Sequence, residues 1–245
     1  MAKGKGKLVL GEDEYLEYYD GYWDKDKANG FGEYNYKNEL IYKGDWFDDL
    51  QHGQGSEIWK DGTTYNGSFM NGLKQGHGKM VFPGKGVYEG EFKNGCIEGT
   101  GTFLFKNGTV YLGEWKGNMM EGKGTLTYTT KKEYVGEFKR GVRWGNGILK
   151  WPDGRRYDGG WKEDKQNGQG RFEFVTGAVK TGVWSRGTFI KWVESSKDDV
   201  GGISMNASPD TTERKIMTQI SGSAKRKSTG QEFEVTSLAN KVNKK

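Results

Sequence analysis

A spacing of 23 residues governs this chain. The pattern Tyr-x-Gly-x-Trp/Phe occurs seven times without insertion or deletion, at Tyr19, Tyr42, Tyr65, Tyr88, Tyr111, Tyr134 and Tyr157. A Gly-x-Gly pair closes each unit, from Gly30/Gly32 to Gly168/Gly170. A degenerate eighth unit begins at Lys180, with Gly182 and Trp184. A fixed period of this length indicates a repeat architecture in which each unit packs on its neighbours.

Within a unit the period is 2. Tyr, Gly and Trp/Phe alternate, and after the Gly pair come alternating apolar residues such as Phe103/Phe105 and Leu149/Trp151. That is strand spacing, so each unit is two short strands with rings and glycines on one face. A ring needs room to lie over its neighbour, and Gly, lacking a Cβ, supplies it. The expected fold is all-β: a single-layer twisted antiparallel sheet of tandem hairpins. One turn is expected over six residues, such as Lys93–Glu98. The other carries Asp61-Gly62, Asn107-Gly108 or Asp153-Gly154, a hairpin signal.

These residues resemble the MORN repeat family, over residues 19–184. Composition agrees: 41 glycines, and 14% aromatic within only 33% hydrophobic residues, suit a sheet with one ring-lined face. The expected organisation is a starting half-repeat and link (1–18), the array (19–193) and a mostly irregular C-terminal tail (194–245). Ser208-Pro209 suggests a short helix over 209–221 in that tail.

Several function classes drop out. A net charge of +5 is too mild to imply nucleic acid. No apolar run is long enough to span a bilayer, and the first residues lack the apolar core of a secretory signal. The single Cys96 excludes an intramolecular disulfide and points to a reducing compartment. His52 and His77 fall outside the ring pattern. No Cys/His cluster has zinc spacing, and neither a nucleophile elbow nor a P-loop is present. No catalytic, cofactor or metal site is expected.

Three surfaces are candidates for contact. Lys93, Lys116, Lys139 and Lys162 form a file, largely cancelled by Glu91, Glu114 and Glu137. Ile58, Val81 and Leu104 share one polar-face position in consecutive units, near Leu112, Val135 and Ile148. That pattern fits either a partner contact or plain β-propensity. The third is the ring face. A lone sheet has no second layer to cover it, so an open trough is expected to offer Tyr111, Trp115, Tyr134, Phe138, Tyr157 and Trp161 to a partner. The tail, with Ile216, Met217, Ile220, Phe233 and Val235, is the less favoured cover.

Among proteins of this family, the chain is most similar to the MORN-type radial spoke head and related axonemal proteins. That resemblance implies a non-enzymatic structural subunit in the cytoskeleton of a cilium or flagellum, with the other proteins of a large complex as partners. The alternative is a tether that binds phosphoinositides at a membrane surface, with anionic lipid contact, and an enzyme-regulating module is a third class.

Overall fold

The hairpins are built on left-handed turn residues. Each Tyr-bearing strand runs into a two-residue turn with positive φ at both positions, as in Asp48 (51°) and Asp49 (68°), or Asn94 (51°) and Gly95 (80°). This is the type I′ turn, whose twist matches the flanking strands and which favours Asn, Asp and Gly. The six-residue turn is thereby corrected. Pairing continues up to the turn itself, through Phe92↔Ile97 and Lys93↔Cys96.

The computed structural model describes residues 1–10 and 17–193; the expected helix over 209–221 and the tail's apolar side chains lie outside them. Among the described residues the fold is all-β, antiparallel and free of helix. The chain forms two compact units, one over Met1–Met119 and one beginning at Met120. The first holds β1 (Gly4–Val9), β2 (Tyr18–Asp24), β3 (Lys27–Tyr36), β4 (Leu40–Phe47), β5 (Leu50–Trp59), β6 (Thr64–Met70), β7 (Leu73–Phe82), β8 (Gly86–Lys93), β9 (Cys96–Phe105) and β10 (Val110–Lys116). The second holds β11 (Met119–Thr127), β12 (Glu133–Lys139), β13 (Val142–Lys150), β14 (Arg156–Lys162), β15 (Lys165–Glu173), β16 (Val179–Ser185) and β17 (Thr188–Trp192). Within each unit every strand pairs with the next in sequence.

Register places the glycines in a row. In the first unit Gly44↔Gly55↔Gly67↔Gly78↔Gly90↔Gly101 meet across successive strands. In the second, Gly136↔Gly147↔Gly159↔Gly170↔Gly182 continue the pattern. Each repeat Tyr lies over this row. A Cβ on Gly90 would fall 2.5 Å from both the Tyr88 hydroxyl and the Gly101 Cα. The phenol donates to the carbonyl three residues on, as in Tyr42 to Asp45 (2.8 Å) and Tyr88 to Glu91 (3.0 Å). The buried hydroxyl is therefore satisfied.

The first glycine of each pair serves a different end. Gly99 has φ of 82° at a register shift, and its missing Cβ faces the Glu91 side chain, not the rings. The expectation that all glycines open the ring face is corrected accordingly. Opposite that bulge the Glu91 carboxylate accepts the Thr100 N–H (3.3 Å) and hydroxyl (2.5 Å). Those bonds hold it below the usual carboxylate range. Asp45 and Glu137 accept the N–H groups of Gln54 and Asn146 in the same way, each at 3.0 Å. Successive turns are also joined, since Gly72 donates to the Gln51 carbonyl (2.9 Å) and Gly95 to that of Lys74 (3.0 Å).

Candidate functional site

The ring face is closed by its own side chains. Tyr111, Tyr134 and Tyr157 are 0% exposed, Phe138 3%, and Trp115 and Trp161 5%. The expectation of an open trough is corrected. In the first unit Trp115 meets Tyr88 and Tyr111 edge to face, at 5.2 and 5.3 Å. In the second, Tyr134 meets Phe138 (5.2 Å) and Trp161 (5.1 Å), and Tyr157 meets Trp161 (5.5 Å) and Trp184 (4.8 Å). Tyr134 and Tyr157 are thus each wedged between the ring of their own repeat and that of the next. T-shaped pairs at these distances are favourable beyond the area they bury. The indole N–H groups of Trp115 and Trp161 are satisfied too, by the carbonyls of Gly101 (3.2 Å) and Gly147 (3.0 Å). Partner binding at these six residues would require that packing to open.

Burial has an electrostatic consequence. It is the first cause that pushes the Tyr19 phenol up to about 12, and it likewise raises Tyr42, Tyr65, Tyr88, Tyr134 and Tyr157. None is poised for proton transfer near neutrality.

The opposite face carries a longer apolar feature than three residues. Ile58, Val81 and Leu104 are 50%, 36% and 47% exposed. Cross-strand register joins them into one row: Ile41↔Ile58↔Thr64↔Val81↔Val87↔Leu104↔Val110, from β4 to β10. The adjacent row on that face is polar, with ion pairs Lys43–Glu33 (3.7 Å) and Lys79–Glu89 (3.4 Å). In the second unit the same register position reads Thr127↔Glu133↔Lys150↔Arg156↔Glu173, with Lys150 and Glu133 paired at 3.0 Å. The position thus accepts charge, and the aliphatic run belongs to the first unit. Leu112 and Val135 are also exposed, and Val135 pairs with Ile148.

A family model for the MORN repeat matches residues 19–40, 42–64, 65–87, 88–110, 111–131, 134–155 and 157–179. The chain belongs to the MORN-repeat family. No curated protein gives a significant match to the sequence. Among solved structures, the chain is similar to the SAS-4 (dCPAP) TCP domain of Drosophila melanogaster in complex with a proline-rich motif of Ana2, at 10% identity and TM-score 0.41, covering 73% of this chain and 90% of that one. It is also similar to the TCP10 domain of Danio rerio CPAP in complex with a peptide of STIL, at 11% identity and TM-score 0.38, covering 78% and 100%.

The MORN array also holds interior polar groups that the residue pattern did not single out. Lys74 lies 2.6 Å from Glu57, with side chains only 7% and 6% exposed, over the rings of Trp59 (4.7 Å) and Tyr65 (5.2 Å). Arg143 pairs with Asp164 at 3.0 Å and stands 4.5 Å from the Trp161 ring. Both are marked in the sequence as charged residues at positions that other repeats fill with apolar ones, such as Met80 and Ile97. His52 sits beside Phe47 (5.8 Å) and His77 is exposed. No cluster of metal-ligating side chains occurs among the described residues. Lys93, Lys116, Lys139 and Lys162 are all exposed.

Proposed function

We propose that this MORN-repeat chain is a non-enzymatic scaffold that binds other proteins along the aliphatic row of its first unit. The observation that carries this is the contrast between faces. The rings, the usual binding anchors, are occupied with one another, while Ile58, Val81 and Leu104 stand exposed in one continuous row. The setting we propose is a large cytoskeletal complex of the cilium or flagellum, of the radial spoke head type. That setting rests on the resemblance of the repeat array to axonemal MORN proteins. A phosphoinositide tether is less favoured, because surface lysines have carboxylates beside them, as Lys60 has Glu39 and Lys79 has Glu89.

The test is a Val81→Lys/Leu104→Lys variant. The fold should tolerate it, since Lys150 occupies the corresponding register position in the second unit. In pull-downs from axonemal extract, the variant should lose the wild-type protein partners by about tenfold or more, because charge replaces apolar contact at the centre of the interface. Undiminished capture by the folded variant would overturn the row as the binding surface. Failure of the tagged chain to co-sediment with axonemes would overturn the ciliary setting alone.

A further inference from the structure

Charges placed among rings need an answering charge, and several in this chain have one. Lys74 is answered by Glu57 and Arg143 by Asp164. Lys132, in the second unit, has no such answer. It ends the loop between β11 and β12, where its carbonyl accepts the Tyr128 N–H (2.9 Å). Its ammonium stands over the Tyr128 ring at 5.5 Å and the Trp151 ring at 5.7 Å. Among the described residues no carboxylate reaches it. Arg155, the residue 23 positions on, also overlies Trp151 (5.5 Å) but is held by Asp153 at 2.7 Å.

The lysine is not there for the fold. Other repeats place Leu40, Thr63, Gly86, Thr109 or Ala178 at the same position, so the hairpin has no need of a cation. Yet Lys132 is half-buried. Burial first, then Arg143 and Arg155, lower its pKa to about 8. An arriving anion would offset the burial of the ammonium and the repulsion from Arg143 and Arg155.

We propose that Lys132, beside Tyr128 and Trp151, receives an Asp or Glu side chain from an acidic segment of a partner protein. A carboxylate is favoured over a phosphate because carboxylates answer both Lys74 and Arg143. This site is independent of the aliphatic row in the first unit, and the failure of either leaves the other standing.

The probe is a fluorescein-labelled synthetic peptide of alternating Glu and Ala, read by anisotropy, with a Gln/Ala peptide as the neutral counterpart. The full chain should bind the Glu peptide and not the Gln one. Lys132→Met should weaken that binding by about tenfold or more, Lys132→Arg should largely preserve it, and the exposed Lys116→Met should leave it unchanged. Lys132→Thr, matching Thr63 and Thr109, provides a second variant should Lys132→Met melt early. Flotation with vesicles containing phosphatidylinositol bisphosphate should not depend on Lys132. The proposal is overturned if wild type does not bind the Glu peptide, if Lys132→Met or Lys132→Thr binds it like wild type, or if Lys132 matters to the vesicles and not to the peptide.

Discussion

Glu57→Gln should lower the stability of the chain by ~3–5 kcal/mol, the cost of leaving one partner of a buried ion pair behind. Lys74 would then sit unanswered among Trp59, Tyr65 and Phe69, with a side chain only 7% exposed. The pair itself is not what the fold requires. The equivalent positions one repeat later are Met80 and Ile97, both buried. A Glu57→Met/Lys74→Ile double variant copies that solution and should recover wild-type stability to within ~1 kcal/mol or exceed it, since apolar replacement of a buried pair is often neutral or stabilising. Urea unfolding of the single and double variants gives the comparison. A double variant as unstable as the single one would show that the loss in Glu57→Gln does not come from the stranded lysine.

Gly90→Ala should cost ~3 kcal/mol, at the upper end for overpacking. The added methyl would lie 2.5 Å from the Tyr88 hydroxyl on one side and 2.5 Å from the Gly101 Cα on the other, with the Thr100 carbonyl at 2.6 Å. Two of those three neighbours are backbone of the paired strand, so the clash cannot be relieved by a side-chain rotation. Tyr88 cannot tilt freely either, being wedged between Phe92 (5.3 Å) and Trp115 (5.2 Å). Lys116→Ala, at an exposed position, should stay within ~0.5 kcal/mol of wild type. Equal melting temperatures for the two variants would contradict the ring-over-glycine packing.

The all-β repeat fold was legible because the Tyr-x-Gly-x-Trp/Phe register is unbroken and its period of two fixes the strand faces. The turn was misjudged for a physical reason. Pairs such as Asp48-Asp49 and Glu163-Asp164 lack Gly, and their left-handed φ values of 51°, 68°, 49° and 62° are imposed by the strand twist on either side. The open trough was misjudged because the general need for a second layer does not bind a sheet whose rings alternate with a glycine row. With no Cβ beneath them, the tyrosines lie flat enough for the next repeat's Trp or Phe to close over them. The aliphatic row was half legible. Ile58, Val81 and Leu104 share one repeat position, but Ile41, Thr64, Val87 and Val110 belong to another, and only antiparallel register interleaves the two. Lys132 carried a signal as well, a cation shared with Arg155 one repeat later, at a position where other repeats have residues such as Thr63, Gly86 and Thr109.

The central claim is that the repeat rings are buried by one another, which leaves partner contact to the opposite face. Spectrophotometric titration of the tyrosines tests it most directly. Burial raises the phenols of Tyr19, Tyr34, Tyr42, Tyr65, Tyr88, Tyr128, Tyr134 and Tyr157, eight of the thirteen tyrosines. Below pH ~10 both the folded and unfolded states keep these protons. Above it the unfolded chain releases them first, so their contribution to stability is lost as pH rises. Those eight should therefore ionise only together with alkaline unfolding seen by circular dichroism. A single step near pH ~10 that ionises every tyrosine while the sheet stays folded would contradict the account.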